Sequence, residues 1–204
     1  MIRYLLLLSA CSTTAAPPTD ATASSVRERL ASPTRLMVSA QASSGSIVAG
    51  HYVDGAWSTA TVPLTIENGA VSAKLDDSGG IAVTELGLGF APLTLPLDTS
   101  PQLTNIRLDL GAPIDATTTW TNEDNAAATA SISLALSWAL LVGGTATPLS
   151  DETFSAVPIQ LVLDGDGATV DGEVTVSAKG TLWSWADLVE LDDLSLTLTA
   201  ATLD

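Results

Sequence analysis

The sequence predicts an all-β domain, an antiparallel β-sandwich of about eight to eleven strands with little helix. Three observations predict it. Apolar and polar residues alternate along most of the chain, glycine-containing turn sequences separate the alternating runs, and 46% of the residues are hydrophobic while only 15% are charged. A β-barrel is the second choice. A membrane barrel is the third, because its lipid face would need aromatic girdles and aromatic residues make up only 4% of the chain.

The clearest strand is the stretch ATASISLALSWALLV, residues 128–142. As a strand it places its large apolar residues on one face and mostly Ser and Ala on the other. As a helix it would scatter them around the cylinder, because every second position advances by about 200°. Its alanine content favours the helical alternative. The large residues are Ile132, Leu134, Leu136, Trp138, Leu140 and Val142.

The same alternation recurs before and after this stretch, and turn residues lie between the runs. Asn-Gly and Asp-Gly favour hairpins because both central positions of a type I′ turn need positive φ. The apolar runs centre on Leu64, Leu95, Leu108, Ile159, Val174 and Leu196. The predicted turns are Asp54-Gly55, Asn68-Gly69, Asp77-Ser78-Gly79-Gly80, Gly143-Gly144 and Asp164-Gly165-Asp166-Gly167.

Two stretches allow helix. The sequence predicts a short helix around Ser25 to Leu30, ended by Pro33. Residues 184–191 fit either a helical turn capped by Ser184 or a strand that continues from Leu182.

The amino terminus has the order of a secretory signal: Arg3, an apolar run, then small residues. The sequence Leu8-Ser9-Ala10-Cys11 resembles the lipobox of bacterial lipoproteins, and Cys11 is the only cysteine. The resemblance implies cleavage before Cys11 and a diacylglyceryl group on its thiol. The alternative is a short buried segment with a core cysteine.

Residues 12–25 are mostly Ser, Thr, Ala, Pro and Asp, a composition typical of a flexible tether. The predicted organisation is a signal peptide over residues 1–10, a lipidated amino terminus and tether with the short helix over 11–33, and one β domain over 34–204. The resemblance implies a cell-envelope lipoprotein held to a membrane by the lipid on Cys11. Ser12 is compatible with export to the outer membrane by the sorting rule of enterobacterial lipoproteins.

Charge excludes one class of partner. The chain has 23 acidic against 7 basic residues and a formal net charge of −16. Nucleic acid binding requires basic residues that neutralise phosphates, so the sequence predicts no nucleic acid partner.

The sequence predicts no catalytic residue and no cofactor. His51 is the only histidine, so a Ser-His-Asp triad would have to use it, and no GxSxG pattern occurs. We expect a non-enzymatic protein in which His51 has no catalytic role.

Two clusters are candidate binding sites. Trp183 and Trp185 share one face of a strand, with Asp187 next on that face, and would form a carbohydrate platform if exposed; otherwise the tryptophans belong to the core. Asp164, Asp166 and Asp171 flank a hairpin turn and could chelate Ca²⁺. This stretch fails the EF-hand pattern, and a plain hairpin explains its glycines.

Three functional interpretations follow. The first is a lipid-anchored envelope protein whose β domain is a structural or interaction module, with another envelope protein as partner. The second is a carrier of a lipid or other apolar ligand, which requires a cavity of about 300–1,000 Å³. The third is a carbohydrate- or calcium-dependent binding module.

Overall fold

The computed structural model describes residues 24–95, 97, 101–166, 169–185 and 188–203. It contains one short helix, α1, and thirteen strands, and all strand pairs are antiparallel. The all-β antiparallel prediction is confirmed. The elements are α1 Val26–Arg29, β1 Thr34–Val38, β2 Ser44–Val53, β3 Ala56–Leu64, β4 Ile66–Leu75, β5 Ile81–Phe90, β6 Leu93–Thr94, β7 Gln102–Leu110, β8 Ile114–Trp120, β9 Asn125–Val142, β10 Thr145–Pro148, β11 Glu152–Gly165, β12 Val170–Trp185 and β13 Val189–Thr202.

The strands form one sheet that returns on itself. Its order is β1-β4-β5-β7-β9-β11-β12-β13-β2-β3, and β1 also pairs with the carboxyl end of β13, which closes the ring. This connectivity is that of the barrel alternative. The strand number exceeds the predicted range because β6 and β10 are very short and β7 and β8 share one position between β5 and β9.

The ring differs between its two ends. The carboxyl end of β13 pairs with β1, whereas its amino end pairs with β2, which in turn pairs with β3. Within the described ranges, β3 has no strand on its other side. One end is therefore a closed barrel, and the other carries the β2–β3 hairpin as a free edge.

The long strands bend at bulges. Register shifts occur in β7, β11, β12 and β13, and each of these strands has a residue of positive φ at a shift. These residues are Asn105 (φ 52°), Ala156 (φ 57°), Gly180 (φ 88°) and Asp193 (φ 45°). Bulges increase bending and twist, which lets strands of 14 or more residues curve around one core.

The apolar positions of the alternating pattern form the core, as predicted. Along β9, Ile132, Leu134 and Leu136 are buried, and Trp138 and Leu140 continue the same face. The stretch is therefore a strand and not a helix. Its last member, Val142, is 45% exposed because it lies at the strand end.

The core of the described residues is packed with buried aliphatic side chains. An apolar cavity of about 20 Å³ lies between Phe90, Leu108, Leu136, Trp138 and Leu191. That volume is roughly one water position and far below the 300–1,000 Å³ of ordinary ligand pockets.

The turn predictions have mixed outcomes. Asp54-Gly55 and Gly143-Gly144 are turns, with positive φ at Asp54 and at all three glycines. Asn68-Gly69 was wrong, since both residues lie inside β4 next to a bulge. A Cβ at position 69 would come within 2.5 Å of Leu88, so glycine there allows close strand contact.

The two helix alternatives are also resolved. The short helix forms as α1, with Ser25 and Glu28 making a reciprocal capping box. In the stretch 184–191, residues 184 and 185 continue β12, as in the strand alternative, and β13 begins at Val189. Leu188 lies in a turn, its N–H donates to the Trp185 carbonyl, and residues 186–187 lie outside the described residues. Among the described residues, no helix has the length and hydropathy needed to cross a membrane.

Candidate functional site: an aromatic hairpin opposite the helix

Helix α1 is fixed to the closed end of the barrel. The Val26 N–H donates to Asp124 Oδ1 at 3.3 Å, and the Leu75 N–H donates to the Leu30 carbonyl at 2.7 Å. The Arg27 guanidinium lies 5.3 Å from the centre of the Trp120 ring. Val26 and Leu30 are fully buried members of the core, so the folded domain includes α1.

The β2–β3 hairpin lies at the opposite end. His51, near the end of β2, is paired with Val189 at the start of β13, whereas Thr202 at the end of β13 is paired with Leu36 of β1, beside α1. Val189 and Thr202 are thirteen positions apart along β13, or roughly 40 Å at about 3.3 Å per residue. The point where the chain enters the domain is therefore far from the tip of the hairpin.

Two exposed aromatic side chains face each other near this tip. Tyr52 is 54% exposed and Trp57 is 41% exposed. They are directly opposite in the β2–β3 register, and their ring centres are 5.0 Å apart with planes at 74°. An edge-to-face pair of this kind adds about 0.5–1.5 kcal/mol beyond burial, so each ring stabilises the position of the other.

Gly50 fixes the Trp57 indole. A Cβ at position 50 would lie 2.5 Å from Trp57 Cζ2 and 2.9 Å from Cε2, so the six-membered ring lies against bare backbone. Val189 and Glu190 of β13 line the adjacent groove, and Glu190 Oε1 accepts a 2.6 Å hydrogen bond from the Thr181 hydroxyl. The site combines an exposed aromatic surface with an oriented carboxylate.

The predicted Trp183–Trp185 platform lies elsewhere. Both indoles are half-buried and pack against the core, and Trp183 contacts Trp138 edge to face at 5.3 Å. This is the core alternative of the sequence analysis. Asp187 lies outside the described residues.

The three aspartates of the calcium hypothesis are only partly brought together. Asp164 and Asp171 are directly opposite across β11 and β12. Asp166 Oδ1 accepts hydrogen bonds from the Thr169 N–H at 2.9 Å and the Thr169 hydroxyl at 3.3 Å, as expected of a turn residue. Within the described part of the chain, no group of three or more His, Cys, Asp or Glu side chains converges to hold a metal.

His51 is half-buried in β2, and its Nδ1 is buried without a hydrogen-bond partner among the described residues. Among the described residues, no carboxylate therefore holds the His51 imidazole through Nδ1, as the aspartate of a catalytic triad does. Cys11 lies outside the described residues.

Two half-buried carboxylates have lowered pKa values, and both support turns or bulges. Hydrogen bonds from Ser78, together with the N–H groups of Gly80 and Gly79, hold the pKa of Asp76 below its usual 3.8. The Gly180 N–H, at 2.9 Å, and the Lys179 ammonium, at 3.2 Å, lower the pKa of Asp193 below 3.8. Both pKa shifts come from local hydrogen bonds, donated by side chains as well as by backbone N–H groups.

No protein-family model matches the chain, and no curated protein matches it. A comparison with solved structures finds the crystal structure of Ail, the attachment invasion locus protein of Yersinia pestis, in complex with the heparin analogue sucrose octasulfate. The identity is 9%, the match covers 83% of this chain and 98% of that one, and the TM-score is 0.36. The candidate site therefore rests on the residues of this chain alone.

Sequence reasoning left Trp57 unassigned and did not single out Tyr52. A usable signal was present, because both aromatics flank the Asp54-Gly55 turn at equal distances and must be cross-strand neighbours in a two-residue hairpin.

Proposed function

We propose that the protein is a lipid-anchored protein of the bacterial cell envelope whose β domain is a non-catalytic interaction module. The observation that carries this proposal is the position of the Tyr52–Trp57 pair at the end of the barrel opposite the chain entry.

The anchor part of the proposal rests on the lipobox and on the position of α1. In a lipoprotein cleaved before Cys11, thirteen residues lead from Cys11 to Ser24, a reach of at most roughly 45 Å. The chain then enters the closed end of the barrel at Ser25 and α1. The closed end would face the membrane and the aromatic hairpin would face away from it.

The interaction part rests on the chemistry of the hairpin. Tyr and Trp dominate protein interfaces because they bring large apolar area at a small loss of side-chain entropy. Tyr52 and Trp57 are exposed yet held by each other and by Gly50. A partner would therefore meet an ordered surface.

The filled interior favours this function over carriage of a lipid. A cavity of about 20 Å³ is too small for an acyl chain. A carrier would have to open a core whose lining residues Leu103, Leu108 and Leu191 are fully buried.

The anchor is tested by mass spectrometry of the native protein isolated from membranes. We expect Cys11 to be the first residue and to carry acyl groups. An intact Met1 in a soluble fraction would contradict the anchor.

The orientation is tested with fluorescent thiol labels at two exposed turn carboxylates, using Asp54→Cys at the hairpin tip and Asp77→Cys beside α1. In vesicles whose headgroups carry a quencher, we expect the Asp77→Cys label to be quenched more strongly. Equal quenching, or stronger quenching at Asp54→Cys, would contradict the orientation.

A second candidate function, glycan binding, is favoured by the groove beside Trp57. Sugar faces stack on exposed indoles, and Glu190 could accept hydrogen bonds from sugar hydroxyls. We expect Trp57→Ala to abolish binding on a glycan array. Val142→Ala removes apolar surface of similar exposure elsewhere and serves as the matched control. An array with no bound glycan, or equal loss in both variants, would exclude this function.

A further inference from the structure

The free edge of β3 offers a second interaction surface, distinct from the aromatic groove. β3 pairs with β2 without a register shift, and on its other side it meets no strand of the described ranges. Its residues 56–61 are all exposed, so both faces as well as the edge are accessible.

The edge lacks the protection that natural sheets commonly use. Edge strands are usually guarded by charged side chains, bulges or prolines that prevent pairing with another chain. In a protein of net charge −16, the stretch from Gly55 to Ile66 contains no charged residue. Only Pro63 interrupts it, near the far end of the strand.

The hydrogen-bonding direction of each β3 residue follows from the hairpin. Asp54 and Gly55 both have positive φ, as in a two-residue type I′ turn. The flanking pair Val53–Ala56 is then hydrogen-bonded, and bonded and non-bonded pairs alternate from there. Trp57, Thr59 and Thr61 therefore direct their N–H and C=O groups to the free edge.

Pro63 shares this outward direction but has no N–H, so three donors remain on the edge. An antiparallel pair of two β3 strands centred on Thr59 uses all of them. Thr59 faces Thr59 of the second copy, and Trp57 faces Thr61 on either side, with two hydrogen bonds exchanged at each pair. Pro63 falls beyond the paired segment.

We propose that β3 pairs with β3 of a second copy of this chain in a two-fold symmetric dimer centred on Thr59. The uncharged strand suits this occupant, because in a symmetric pair charged residues would come close to their own copies. The pairing consumes both edges, so assembly stops at two chains. This inference goes beyond the proposed function and does not depend on the lipid anchor or on the groove.

The contact is small and forms against the repulsion of two molecules of charge −16. Because salt screens repulsion between exposed charges, the dimer is expected to strengthen as salt increases. On sedimentation in high salt, the protein should have the mass of two chains. A one-chain mass at every salt concentration would overturn the proposal, as would a series of larger species.

A matched pair of variants tests the edge. Thr59→Lys places two ammonium groups opposite each other in the dimer, whereas Thr59→Val keeps an uncharged strand former. We expect one-chain mass for Thr59→Lys and two-chain mass for Thr59→Val, with unchanged circular dichroism for both. Equal association of the two variants would overturn the proposal.

Disulfide trapping tests the register in a full chain carrying Cys11→Ser, which leaves a single introduced thiol. The two residues at position 59 have Cα atoms about 5.5 Å apart in the proposed register, within disulfide range. Two residues at position 61 are displaced by four residues, or roughly 13 Å along the strand. Under mild oxidation, Thr59→Cys should yield a reducible dimer and Thr61→Cys should not. Equal yields would overturn the register.

Discussion

Replacing Leu108 with alanine tests whether the barrel interior is filled, which is the property that separates an interaction module from a carrier. Leu108 is fully buried in β7, and its cross-strand neighbours Leu88 and Leu136 are also buried. It lines the cavity of about 20 Å³, so the deleted atoms would enlarge an existing void.

The expected loss combines two contributions. Removing the buried methyl and methylene groups costs about 2 kcal/mol in transfer free energy, since each buried CH₂ is worth about 0.8 kcal/mol. A residual cavity adds about 24 cal/mol per Å³, so a void of about 100 Å³ adds about 2.4 kcal/mol. We expect the free energy of unfolding to fall by about 3–5 kcal/mol.

The assay is urea unfolding followed by tryptophan fluorescence, with Val162→Ala as the control. Val162 is 39% exposed on β11, and its truncation should change stability by no more than about 0.5 kcal/mol. If Leu108→Ala loses less than about 1 kcal/mol at an unchanged m-value, the interior around Leu108 is not close-packed. Carriage of an apolar ligand would then regain support.

Three further predictions concern local geometry. Because the pKa of Asp193 is lowered in the folded protein, its stabilising contribution is fully present above pH 3.8 and is lost as pH falls through the folded pKa. Asp193→Asn should remove that part of the pH dependence of the unfolding free energy, measured by urea titrations at a series of acidic pH values. Gly180→Ala should destabilise the fold by about 1–2 kcal/mol, because Gly180 has φ 88° and an L side chain is strained there; no loss in a urea melt would contradict the bulge geometry. Ser25→Ala removes the cap that accepts the Glu28 N–H and should cost about 1 kcal/mol by thermal unfolding, whereas Ser25→Asp should retain most of the stability.

The strand content could be predicted because alternation is a local signal set by burial on one face. β9 and β7 show this directly, since Leu134 and Leu108 are buried as their positions in the pattern required. Closure of the sheet could not be predicted. It depends on three residue pairs between β1 and the end of β13, which lie more than 160 positions apart in the chain.

Whether Trp183 faces the core or solvent could not be predicted from the alternation of apolar and polar residues. From Val170 to Ala178, the even-numbered residues of β12 face inward. After Gly180, Leu182 still faces inward and is buried, but register shifts after Ala178 and after Thr181 bring Trp183 opposite the buried Leu191, where it packs against the core. An inserted residue changes the face of the side chains that follow it, so alternation alone left the core and platform alternatives open.

The change of partner along β13 connects the fold to the proposed functions. At the closed end, residues 200–202 of β13 pair with β1, whereas residues 189–197 pair with β2. The β2–β3 hairpin is thus held in the sheet through β2 only. β3 keeps an accessible edge, and the exposed Tyr52 and Trp57 lie near the hairpin tip, one on each strand. A barrel closed along its whole length would have bonded β3 on both sides and removed the free edge. Incomplete closure at this end is therefore what makes a surface available for a second copy or for another envelope component.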